Sequence, residues 1–130
     1  MADKTIKIDG IEVALHSSGA TNILYKSEFQ RDLFKDFAKL QEVAIEAVRA
    51  EENGEEYEAD DSESSEMLTR VAYIMARQAY TAAHATGGTF PSFLEWVDQF
   101  SLIGLARDIY QVAPLLVADR KTQEEAKKKN

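Results

Sequence analysis

The side chains of this 130-residue sequence that could do chemistry are few and scattered. His16 and His84 each sit where an element is expected to end, and neither belongs to a set of ligands at metal-binding spacing. Asp60-Asp61-Ser62-Glu63 offers oxygen ligands to a hard cation, but it lacks the alternating ligands and central glycine of a calcium loop and reads as solvated chain. Gly87-Gly88 is followed by neither a lysine nor the start of a helix, so it marks a helix stop and not a phosphate loop. Serines are plentiful, yet none lies in a nucleophile elbow, and no acid pair is set beside an apolar cleft. Cysteine is absent, which removes disulfides, thiolate metal sites and a thiol nucleophile together. The expectation is a binding protein that is not an enzyme, with no cofactor and no metal.

The charge is equally uneven. Residues 51 to 66 hold nine carboxylates and no base. The whole chain carries 15 basic and 23 acidic side chains, so the rest, at 15 against 14, is close to neutral. The only basic run, Lys127-Lys128-Lys129, cannot follow a phosphate backbone, and no nucleic-acid partner is expected. No apolar run approaches the roughly 18 residues that span a bilayer, and Met1-Ala2-Asp3-Lys4 does not lead into a secretory signal. No membrane partner is expected either.

These side chains must be carried by a fold that is α+β and mostly α. The run Thr5 to Leu15, broken by Asp9-Gly10, predicts a β-hairpin with a type I′ turn. In that register Ile6, Ile8, Ile11, Val13 and Leu15 share one side, and Lys7 faces Glu12 on the other. A bundle of about four to five helices must cover the apolar side. A short helical turn is expected around Ile23 to Tyr25. Ser27-Glu28-Phe29-Gln30 then has the form of a capping box, followed by Phe29, Leu33, Phe37, Leu40, Ala44 and Val48 as one stripe of a helix running to about Ala50. Residues 51–65 are expected to form an exposed, mobile acidic linker. A second long helix begins near Ser65, carries Leu68, Val71, Ala72, Met75, Ala79 and Ala82, and ends before Gly87. Pro91 is expected in the first turn of the next helix, and Leu102 to Val112 in another that Pro114 breaks or kinks. One globular domain over residues 1–118 and a polar flexible tail over 119–130 complete the reading.

Four stretches, in order, resemble the tail assembly chaperones of phages and prophages of Gram-positive bacteria. They are Thr21 to Leu33, which matches a T-x-x-x-Y-(K/R)-x-x-F-x-R-D-L opening; Ala72 to Ala79, similar to the central helix; Pro91-Ser92-Phe93-Leu94-Glu95-Trp96-Val97-Asp98-Gln99-Phe100, similar to the family signature; and Ile109 to Pro114, similar to the late helix. Gln30 stands where the family usually has glycine. The resemblance implies a protein of the host bacterial cytoplasm, absent from the mature virion. It would bind the long helical tape measure protein and keep it soluble until the tail tube polymerises around it. It also implies self-association and pairing with a longer form of the same chain made by ribosomal frameshifting, for which A-rich codons behind the Lys127–Asn130 run would be suited. A structural tail or head-to-tail joining protein retained in the virion is the alternative.

The candidate partner-binding residues are Tyr25, Phe29, Phe93, Trp96 and Phe100. Aromatic anchors dominate many interfaces. The i, i+3, i+7 spacing of Phe93, Trp96 and Phe100 is equally that of an inward helix face, and the sequence does not separate groove from core.

Overall fold

The computed structural model describes residues 2–55, 62–84 and 88–116. Asp9 and Gly10 both take positive φ, 52° and 78°, as a type I′ turn requires. The turn fixes the expected pairing: Ile8 faces Ile11, Ile6 faces Val13 and Lys7 faces Glu12. The strands β1 (Ala2–Ile8) and β2 (Ile11–Ser17) extend beyond the expected 5–15 at both ends. Ile6, Ile8, Val13 and Leu15 are buried against the helices, whereas Ile11, at the turn end, remains partly outside.

The helices are α1 (Ala20–Phe29), α2 (Leu33–Glu52), α3 (Ser62–Ala83), α4 (Phe93–Asp98) and α5 (Leu102–Asp108), with a 3-10 turn over Ile109–Val112. The architecture is therefore α+β and mostly helical. Helix α3 is the central element. It carries the buried Met67, Leu68, Val71, Ala72, Ile74 and Met75, and the hairpin, α1, α2, α4 and the 3-10 turn all pack on it. Exposure returns at its end, where Ala79 is half-buried and Ala82 exposed.

Several boundaries differ from expectation. The short turn at Ile23 is a ten-residue helix, and Ser27 lies inside it instead of capping a new one. Gln30 terminates α1 in the left-handed region, at φ 54°, and its side-chain amide donates to the Ser27 carbonyl. Asp32 starts α2, its carboxylate accepting from the amides of Phe34 and Lys35. An aspartate at an extended residue is a stronger cap than a Ser-x-x-Gln pattern within a continuous apolar period, so one expected helix becomes two. The linker over 51–65 is shorter than expected: α2 continues to Glu52 and α3 starts at Ser62. Residues 56–61 of that linker, and the tail 119–130, lie outside the described residues.

Pro91 precedes α4 and is not in its first turn. Ser92 is the cap, and a full capping box joins it to Glu95. The helix expected from Leu102 to Val112 tightens into 3-10 geometry at Ile109. Pro114 does not break the chain: helical geometry resumes at 113–116, where a proline in the first turn forfeits no hydrogen bond.

The hairpin is tied to α5 through its turn. The Asp9 carboxylate accepts from the Ser101 amide at 2.7 Å, and the Asp9 amide donates to Asp108 at 2.8 Å. Gly104 is buried beneath Asp9, and a β-carbon there would collide with the Asp9 side chain. Alanine normally stabilises a helix interior over glycine by up to about 1 kcal/mol; here Gly104→Ala is expected to destabilise by roughly 1–3 kcal/mol through overpacking. Gln30→Gly has the opposite sign, stabilising by about 0.5–1 kcal/mol through relief of a left-handed residue. Urea unfolding of the two variants checks both signs.

Candidate partner-binding site

The site grows from α1. Tyr25 is fully buried (0% exposed) on its inner face, and its hydroxyl donates to Asp36 Oδ2 at 2.7 Å. Asp36, on the first turn of α2, is itself buried. It accepts two further bonds from Arg31, from Nε at 2.8 Å and from Nη2 at 2.9 Å. Arg70 of α3 donates to the Tyr25 oxygen at 3.2 Å and also pairs with Glu66. Arg31 and Asp32 thus do separate work: one turns back to a carboxylate five residues on, and the other caps α2. The Arg31 guanidinium, seconded by the Tyr25 hydroxyl, holds the Asp36 carboxyl below the usual carboxylate range against the opposing effect of burial. Burial pushes the Tyr25 phenol up, a rise that Asp36 reinforces and Arg70 opposes.

From Tyr25 a continuous run of rings crosses the molecule. Tyr25 meets Phe29 edge-on, with centroids 5.3 Å apart, and Phe29 meets Phe93 at 5.0 Å. Tyr73 of α3 touches Phe29, Phe90, Phe93 and Trp96, and Trp96 meets Phe100 at 5.2 Å. Apart from the tilted Tyr73–Phe90 pair, these contacts are edge-to-face, the favoured geometry, worth about 0.5–1.5 kcal/mol per pair beyond area burial. The Tyr73 hydroxyl donates to the Pro91 carbonyl at 2.7 Å, which fastens the segment before α4 to α3. Burial raises the Tyr73 phenol, while Arg77, stacked over the ring, opposes the rise. Arg77 also donates to Glu28 at 2.7 Å, bridging α3 to α1 at the rim.

All five candidate residues therefore belong to one aromatic run. Tyr25, Trp96 and Phe100 are buried within the chain itself, so their rings are core. Phe29 and Phe93 are half-buried and keep part of each ring open. Beside Phe93, Leu94 projects outward and is 76% exposed. Tyr73, the hub of the run, was not singled out from sequence. It sits among the apolar positions of α3 like any core residue, and only its four ring contacts reveal its place.

Neither histidine joins the site. His16 pairs with Asp3 across the hairpin, and His84 stacks on Tyr80 at the end of α3. Among the described residues no group of three or more His, Cys, Asp or Glu side chains could hold a metal ion, and no helix is long and apolar enough to cross a membrane. Set against known protein families, characterised proteins and solved structures, the chain matches none.

The Asp36 cluster carries a pH signature. A folded-state acidity stronger than that of the unfolded chain means stability that is fully present above the ordinary carboxylate value of about 3.9 and is lost as pH falls through the depressed folded value. Asp36→Asn is expected to cost about 1.5–3 kcal/mol at pH 7, the value of bonds to a charged group. The gap from the parent protein should narrow as the pH is lowered below about 4. Tyr25→Phe is expected to cost about 1–2 kcal/mol with no comparable acid dependence. Denaturant unfolding at pH 7 and pH 3 separates the two.

Proposed function

We propose that this protein is a tail assembly chaperone of a tailed phage or prophage of a Gram-positive bacterium. In this reading it binds the tape measure protein in the host cytoplasm, keeps it soluble until the tail tube polymerises, and leaves before the virion matures. The observation that carries the reading is the convergence of the motif-bearing segments. Phe29 from the opening segment, Tyr73 from the central helix and Phe93 from the signature meet in mutual ring contact. The late segment buries Ile109, Tyr110, Val112 and Ala113 in the same core. The residues that carry the resemblance are thus the ones that hold this fold together, as expected when a shared pattern reflects a shared structure.

The surface best suited to an amphipathic helix lies where the aromatic run reaches solvent. Phe29 and Phe93 offer ring surface, Leu94 adds a projecting aliphatic, and the Arg77–Glu28 pair gives a polar rim. A helix with apolar residues at i, i+3 and i+4 matches such a strip. The longer frameshifted form, sharing this domain, would bind the same helix.

Coexpression with the tape measure protein of the same phage should yield a soluble complex that copurifies. Leu94→Glu should leave folding stability within about 0.5 kcal/mol, as for other surface changes, yet lose the complex. A tape measure protein equally insoluble with and without this chain would overturn the proposal. Mass spectrometry of purified particles tests the structural tail or joining alternative, which requires the chain in the virion.

A further inference from the structure

Helix α2 ends on a turn that sets a reactive peptide in solvent. The Glu55 amide donates to the Ala50 carbonyl at 2.7 Å and the Gly54 amide to the Glu51 carbonyl at 3.2 Å, the paired bonds that close a helix on a left-handed residue. Gly54 is that residue, at φ 69°, and a β-carbon there would meet open space. Asn53, just before it, is exposed, with φ −91° and ψ 2°. An asparagine followed by glycine is open to attack on its side-chain amide by the next peptide nitrogen, because the following residue has no β-carbon to stand in the way.

We propose that Asn53 is a site of self-modification in the folded protein, gated by the last turn of α2. In the closed turn, a ψ near zero sets the Gly54 nitrogen against Asn53's own nitrogen, away from its side-chain carbonyl carbon, and the Gly54 N–H is committed to Glu51. Helix ends open locally at the lowest free energy in a fold. Once the two terminal bonds open, the Gly54 nitrogen bonds to Asn53 Cγ. The Cγ–Nδ2 bond breaks, and Nδ2 leaves as ammonia, taking the proton that Gly54 gives up. The product is a cyclic imide, which water opens. Water at Cγ yields aspartate; water at the main-chain carbonyl yields isoaspartate, in which the chain runs through the side chain and is one carbon longer.

Both products hold the turn open. Isoaspartate lengthens the main chain between the Ala50 carbonyl and the Glu55 amide, so the ring that they close no longer fits. Aspartate keeps the ordinary linkage but sets a carboxylate at the negative end of the α2 dipole, beside the exposed Glu51, Glu52 and Glu55. The acidic segment gains a charge, and α2 shortens as the protein ages. Asn22 is the internal comparison: it lies inside α1 and is followed by the branched Ile23, which obstructs the same attack. The proposal does not rest on the chaperone reading, since the reaction needs this chain and water alone.

The full chain, incubated for weeks at neutral pH with and without denaturing urea, provides the test. Peptide mapping by mass spectrometry should show Asn53 converting in both samples, about tenfold more slowly in the folded protein, while Asn22 of the folded protein stays intact. Ala50→Gly loosens the last turn and keeps the Asn53-Gly54 pair, so it should speed conversion about fivefold in the folded protein and leave the rate in urea unchanged. Amide exchange at Gly54 and Glu55 should be slowed in the parent chain and fast once Asn53 has converted. Equal rates with and without urea overturn the proposal, and so does an Asn53 that converts in urea but stays intact in the folded protein. A folded Ala50→Gly chain that converts at the parent rate also overturns it. Gly54 and Glu55 amides of the parent that exchange as fast as in urea do the same, a result that needs no variant.

Discussion

The carboxylate of Asp36 is the constraint on which the helical layer depends. An ionised group this deeply buried is tolerable only if its lone pairs are filled, and here they are filled from two directions. Tyr25 brings α1, and Arg31 brings the link between α1 and α2. Arg70 extends the network to α3 through the Tyr25 oxygen. Apolar contacts alone would let α1 and α2 slide against α3 at small loss, since an aliphatic stripe is tolerant of register. A carboxylate that must meet a phenol and a guanidinium admits one placement. The network thus acts on specificity of packing more than on its total strength, the role best attested for buried polar groups.

That placement explains the aromatic run. With Tyr25 held, Phe29 one turn later is delivered to the junction of α3 and α4, where Tyr73 and Phe93 meet it. Tyr73 in turn holds the chain before α4 through the Pro91 carbonyl, and the capping box at Ser92 starts that short helix with Trp96 directed inward. At the other end of α1, Thr21 and Gln78 repeat the same device on a smaller scale: the threonine hydroxyl donates to the buried amide oxygen of α3 at 2.7 Å. Helix α1 is therefore pinned to α3 by polar contacts at both ends and by rings between. The hairpin has its own anchor in Asp9, whose carboxylate meets the start of α5.

The outer surfaces are less uniform than the core. Apolar side chains stand exposed at Ile23, Phe34, Ile45, Leu94, Leu102 and Ile103. Exposed aliphatics scattered singly are ordinary in a soluble domain. Phe34 and Ile45 stand eleven positions apart on α2, whereas Leu102 and Ile103 are neighbours at the start of α5.

The hairpin and its register were fully legible in the residues, because Asp9-Gly10 demands two positive φ values and a two-residue turn leaves one pairing. The central helix α3 was legible from period, and so were Leu68, Val71, Ala72 and Met75 of its buried face, whereas Met67, Tyr73, Ile74 and Ala76 were not. The mostly helical class was legible too. All of these are local: the information lies within one turn or one strand pair. The division of one expected helix into α1 and α2 was not legible, because the apolar period from Phe29 to Leu33 continues straight through the break and only the competing cap at Asp32 interrupts it. The partnership of Arg31 with Asp36, the hub position of Tyr73, and the burial of Tyr25, Trp96 and Phe100 beside half-open Phe29 and Phe93 belong to the tertiary structure alone. An inward face and a binding face have the same spacing along a helix, and what separates them is which neighbour arrives to cover each ring, a property of elements far apart in the chain.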